Sequence, residues 1–86
     1  MNPIMVHMIN NKLNQLTAQE LVGLAAQHQF PVSMQEATQV VNILRRYNIN
    51  IMNAAQREEI IQAIAHEVNR EKAATIQYLI NNYLNR

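Results

Sequence analysis

The chain has no cysteine, no aspartate and no tryptophan, and it has one glycine, two prolines and a single serine. Without cysteine there are no disulfides, no thiolate catalysis and no cysteine-ligated zinc, and the redox compartment stays open. Without aspartate no Ser/His/Asp triad can be built. Glutamate can replace aspartate, but the only serine, Ser33, stands at a helix-start position where its hydroxyl has a structural task. Gly23 alone cannot supply the glycine-containing loops that bring backbone close to a phosphate or an oxyanion, and neither a Walker nor a dinucleotide fingerprint is present. Charge of one sign is also lacking. Seven Lys and Arg face six Glu, a net charge of +1, which falls short of the basic balance of a nucleic-acid module. No long apolar run occurs. The stretch Ile4 to Ile9 is interrupted by His7 and is too short and wrongly flanked for a signal peptide or a membrane span, so a cytoplasmic location is expected.

What is present is the composition of a folded helical chain. Eighty-six residues, 49% of them apolar and 15% charged, predict one domain over 1–86, so small that about a third or more of its unfolded surface stays wet. Self-association would add stability. Asn2, Thr17, Ser33, Asn53 and Asn69 each precede a helix-favouring run. Thr17 and Ser33 have Glu three positions later, as in a capping box, and Asn53 has Gln there. The spacing of apolar residues predicts helices over Pro3–Asn14, Ala18–His28, Met34 to Arg46 or Tyr47, Ala54–Val68 and Arg70–Leu84. A break at Asn69 is expected because Asn69, Arg70, Glu71 and Lys72 supply no inward-facing apolar residue. The expected fold is therefore all-α, a compact array of five short helices. Phe30–Ser33 and Asn48–Ile51 read as extended connectors, the second by its period-two alternation, and one short backbone bridge between them is a candidate feature. The abundance of Asn and Gln reads as ordinary filling of solvated helix faces.

Candidate chemistry is sparse. His66-Glu67 begins like the zinc-protease helix, but position 70 is Arg, and His7, His28 and His66 fall on three different helices. Glu58 and Glu59 are adjacent and so diverge around a helix, unlike the convergent carboxylates of glycosidic chemistry. No metal, no cofactor and no enzymatic activity are expected. The stretch from Thr17 to Ala26 followed by Phe30-Pro31-Val32-Ser33 loosely resembles helix-extended-helix modules of the SAP and Rho N-terminal type. Arg45, Arg46, Arg57 and Lys72 are the candidate nucleic-acid surface, although no aromatic platform interleaves with them. The apolar surplus of the terminal helices points elsewhere. Helix one is apolar almost all round and helix five has apolar residues off its main stripe, which makes Met5, Val6, Ile9, Tyr78 and Leu84 the candidate protein interface.

Leu16-Thr17-Ala18-Gln19-Glu20-Leu21, then Ile43-Leu44-Arg45 with Asn48-Ile49-Asn50-Ile51, then Arg57 ahead of Ile60-Ile61 and Ile64-Ala65, resemble the YqfT-like family of uncharacterised proteins of bacilli, a domain-of-unknown-function family. The resemblance implies a short cytoplasmic bacterial protein, assigns no activity and carries over no functional residue. The expected function is a non-enzymatic protein–protein interaction or homodimerisation module, with self or another protein as partner and no membrane. The alternative is a weak nucleic-acid-binding helical module.

Overall fold

The computed structural model describes the backbone of residues 2–84 and the side chains of residues 2–82. Five α-helices follow one another: α1 (Pro3–Asn14), α2 (Ala18–Gln27), α3 (Met34–Leu44), α4 (Ala54–Glu67) and α5 (Arg70–Leu84). No strand occurs among the described residues, so the all-α reading holds.

Every helix starts where a polar side chain takes up an orphan backbone N–H. Asn2 Oδ1 accepts from Ile4 N at 2.8 Å, and Pro3 opens α1 at a position that needs no donor. Thr17 and Ser33 form full capping boxes. Glu20 N donates to Thr17 Oγ1 at 3.2 Å while Thr17 N donates to Glu20 Oε1 at 3.2 Å. The Ser33–Glu36 pair repeats this at 3.1 and 3.0 Å. Asn53 Oδ1 accepts from Gln56 N at 3.0 Å, and Asn69 Oδ1 accepts from Lys72 N at 2.8 Å. The chain breaks at Asn69 as expected, with Val68 out of helical geometry at φ −112°, ψ −84°.

α1 and α5 end where the apolar spacing suggests, whereas α2, α3 and α4 end one to three residues earlier. α2 stops at Gln27 because Gln29 adopts the left-handed conformation, φ 65°. Phe30 N then reaches back to Ala25 O at 2.9 Å and Gln29 N to Ala26 O at 3.0 Å, the paired bonds of a Schellman end with glutamine where glycine is usual. Past Leu44, Arg46 N bonds Ile43 O and Tyr47 N bonds Leu44 O at 3.1 and 3.2 Å, three-residue closures that tighten the last turn instead of extending it.

α2 packs on α3 and α4 on α5, while α3 joins the two pairs through α4. Leu21, Val40, Ile43, Ile51 and Ile64 are the large side chains fully buried where these pairs meet. Ile49 and Ile51 also enter this core, although they belong to the connector. Lys72 is buried too, its side chain 7% exposed, with Nζ 3.7 Å from a Glu36 oxygen and 3.2 Å from a Glu71 oxygen. It ties the start of α5 to the start of α3.

The suggested bridge between the two connectors is absent among the described residues. The backbone of residues 48–51 is paired instead with side-chain amides. Asn14 Oδ1 accepts from Ile49 N at 2.9 Å and Asn14 Nδ2 donates to Ile49 O at 3.2 Å. Asn10 Oδ1 accepts from Ile51 N at 2.7 Å. On the opposite edge, Gln56 Oε1 accepts from Asn50 N at 2.8 Å and Gln56 Nε2 donates to Asn48 O at 3.0 Å. An extended chain turns alternate residues to opposite sides, so both polar groups of Ile49 and the N–H of Ile51 meet α1, while Asn48 O and Asn50 N meet α4; at the turn that follows, Ile51 O is taken by Arg57 of α4. The spacings agree: four helical residues rise about 6 Å and two extended residues about 6.6 Å. The reading of Asn and Gln as filling for solvated faces fails at these three positions, where the amide supplies both a donor and an acceptor to a lone strand-like segment.

Candidate interaction surface

α1 is the helix least committed to the core. None of its residues is fully buried. Val6, Ile9 and Leu13 lie half-buried against the core cluster, and Asn10 and Asn14 hold the connector. The other side of the helix is open and apolar. Ile4 is 70% exposed, Met8 64% and Met5 39%. Residues four and three apart share a helix face, so these three form one ridge. Between Pro3 and Gln15 the only Lys, Arg, Asp or Glu is Lys12.

Beside the ridge, α1 and α2 leave a groove of about 670 Å³. Its apolar wall comes from Met8, Ile9, Leu13, Leu16 and Leu24, and Gly23 lies on its α2 side. Lys12 of α1 and Glu20 of α2, both in its lining, meet as an ion pair between its two walls. The Lys12 ammonium, foremost, and then the Thr17 hydroxyl and N–H hold the Glu20 carboxyl below the usual carboxylate range.

The five candidate interface residues are thus divided. Met5 is exposed on the ridge, whereas Val6 and Ile9 turn partly inward. Tyr78, 49% exposed, packs edge-on against Phe30 and His28, with ring centroids 5.2 and 5.6 Å away, at the end of α2. The Leu84 side chain lies outside the described residues. The sequence could not tell the buried side of α1 from the exposed one, because α1 is apolar almost all round and only tertiary packing chooses the buried face.

The four cations of the alternative surface are each engaged within the chain. Arg46 makes a fork on Glu67 at 2.6 and 2.5 Å. That fork holds Glu67 below the usual carboxylate range. Arg45 donates to Leu16 O at 3.3 Å, Arg57 donates to Ile51 O, and Lys72 is buried beside Glu36. The Ser33 N–H, foremost, and Lys72 among the weaker causes hold Glu36 low as well. These contacts lead to different elements rather than to one open basic face.

His7 and His66 are exposed and His28 is half-buried, on or at the end of three separate helices. Among the described residues no group of three or more His, Asp or Glu is placed to hold a metal. No described helix is long and apolar enough to cross a membrane.

The family described as "Protein of unknown function (DUF2624)" matches residues 1–84. The chain is also similar to the uncharacterised protein YqfT of Bacillus subtilis (strain 168), 28% identical over 75 residues that cover 87% of this chain and 89% of that protein. The resemblance read from the residues is thereby met. No solved structure gives a significant match.

Proposed function

The chain belongs to the DUF2624 family of proteins of unknown function, and we propose that it acts without catalysis, as a homodimerising protein-interaction module of the cytoplasm built around α1. One observation carries this reading: a twelve-residue helix with no fully buried residue presents Ile4, Met5 and Met8 to solvent. Charge depletion and methionine enrichment are features of interface cores. Apolar association also meets the need of so small a chain to remove more surface from water. A non-catalytic role is supported by the residue inventory, since Glu58 and Glu59 diverge on α4 and Ser33 is occupied as a cap.

Light scattering and sedimentation over a concentration series test the reading. The expected mass is twice 9.9 kDa at tens of micromolar, little changed by moderate salt because water exclusion is screened far less than charge pairing. Met5→Glu, at an exposed position, is expected to give a folded monomer. A mass of 9.9 kDa at every concentration, with salt-sensitive retention of an oligonucleotide, would replace this reading by the nucleic-acid one.

A further inference from the structure

We infer that α1 is a hinged lid: it lifts off the core about Gln15 while α2 to α5 stay folded, and so uncovers the connector edge at Ile49 and Ile51. The inference does not rest on the homodimer reading.

The lid is lightly held. Each of α2, α3, α4 and α5 sends at least two apolar side chains fully into the core, whereas α1 sends none. Its apolar attachment consists of Val6, Ile9 and Leu13, all half-buried. Among the described residues its polar attachments all come from its C-terminal half: Asn10 and Asn14 hold residues 49–51, and Lys12 meets Glu20. That ion pair is exposed to solvent, and exposed pairs add little. Leu13 also borders an apolar void of about 40 Å³ that Ile49, Ile51 and Leu79 help to line. A void leaves the side chains around it without contact partners on that side.

The hinge lies against a fixed anchor. Leu16 is buried in the core, and Arg45 donates to its carbonyl at 3.3 Å. Thr17 then starts α2 with a capping box closed by Glu20. Gln15 is exposed and stands between this anchor and α1. The backbone bonds at the junction, Gln15 N to Lys12 O at 3.2 Å and Leu16 N to Leu13 O at 3.5 Å, are long. Rotation about Gln15 therefore breaks the contacts of α1 and leaves Leu16 and the α2 cap in place.

The groups that α1 uncovers can be met by water. Its departure frees the N–H groups of Ile49 and Ile51 and the carbonyl of Ile49, on a segment whose other edge keeps Gln56. Exchanging a side-chain amide for water has a small net cost once water can reach the group. Lifting any other helix exposes fully buried side chains instead. Elements with few buried apolar contacts open below the free energy of global unfolding.

Native-state hydrogen exchange of the full chain, read by mass spectrometry at sub-micromolar concentration where exchange tracks the opening equilibrium, tests the lid. Relative to intrinsic rates, α1 peptides are expected to exchange at least tenfold faster than those of α3 and α4, with a shallower dependence on denaturant. Ile64→Val loosens the body from within α4. It is expected to speed exchange in α3 and α4 roughly two- to twelvefold and to leave α1 unchanged, whereas Asn14→Ala is expected to speed α1 at least fivefold. The series is repeated on Met5→Glu, which removes any second copy from α1. Protection of α1 lost only in Met5→Glu supports the lid and shows that a second copy holds it shut. Protection of α1 equal to that of α4 in both proteins, or equal acceleration of both helices by Ile64→Val, would overturn the lid whatever the oligomeric state.

Discussion

Asn14 offers both halves of its carboxamide to one residue, Ile49, accepting from its N–H and donating to its carbonyl at 2.9 and 3.2 Å. A side chain thus takes the place of a neighbouring strand. The pairing matters because Ile49 buries its side chain in the core, so its backbone cannot turn to water without drawing the isoleucine out. Asn14→Ala leaves a part-buried donor and acceptor unmatched and is expected to cost about 1 to 3 kcal/mol. Asn14→Asp keeps the acceptor but loses the donor. Denaturant midpoints equal to the parent's for Asn14→Ala would remove the amide latch as a stabilising element.

The caps at Thr17 and Ser33 each satisfy an orphan N–H and receive a return bond from Glu20 and Glu36. Thr17→Ala and Ser33→Ala are each expected to destabilise by roughly 0.5 to 2 kcal/mol. Because the two caps start different helices, their effects should add in the double variant. Chemical denaturation of the two single variants and the double variant measures this directly.

Gln29 holds φ at 65° to close α2. Glycine adopts that conformation without a Cβ penalty, so Gln29→Gly is expected to stabilise the chain by about 1 kcal/mol. The usual effect of glycine in a helix interior has the opposite sign, which makes the melting temperature of this variant decisive for the Schellman geometry.

Glu20, Glu36 and Glu67 all have carboxyl pKa values lowered in the folded chain, through Lys12, the Ser33 N–H and Arg46 respectively. A group whose folded pKa lies below its unfolded one contributes stability that is fully present above the unfolded value. That contribution is lost as pH falls through the folded value. These three groups should therefore add acid sensitivity only below about pH 4.5. The matched triple Glu→Gln variant is expected to melt with a shallower acid slope. Parallel pH–melting curves for parent and variant would contradict the assigned ion pairs and caps.

The order of the five helices and their starts were legible in the sequence, because caps are local: Thr17 and Glu20, or Ser33 and Glu36, find each other within one turn of chain. The break at Asn69 was legible for the same reason. The bridge expected between the connectors failed because alternation reports that Asn48–Ile51 is extended without saying what pairs with it. One of its partners, Gln56, lies six to eight residues on, and the other two, Asn10 and Asn14, lie 35 to 41 residues away. Their i, i+4 spacing was visible, but on a helix apolar nearly all round it carried no direction. The same ambiguity hid the division of α1 into a half-buried side and an exposed ridge. The intramolecular partners of the candidate cations were hidden for a related reason. Arg45, Arg46 and Lys72 reach Leu16, Glu67 and Glu36, partners that only the packed helices bring near, while Arg57 finds Ile51 six residues back. Local sequence determined where helices begin, since capping bonds close short loops. Tertiary packing decided which faces are covered and which amides are spent on backbone, since those choices depend on contacts across the whole chain.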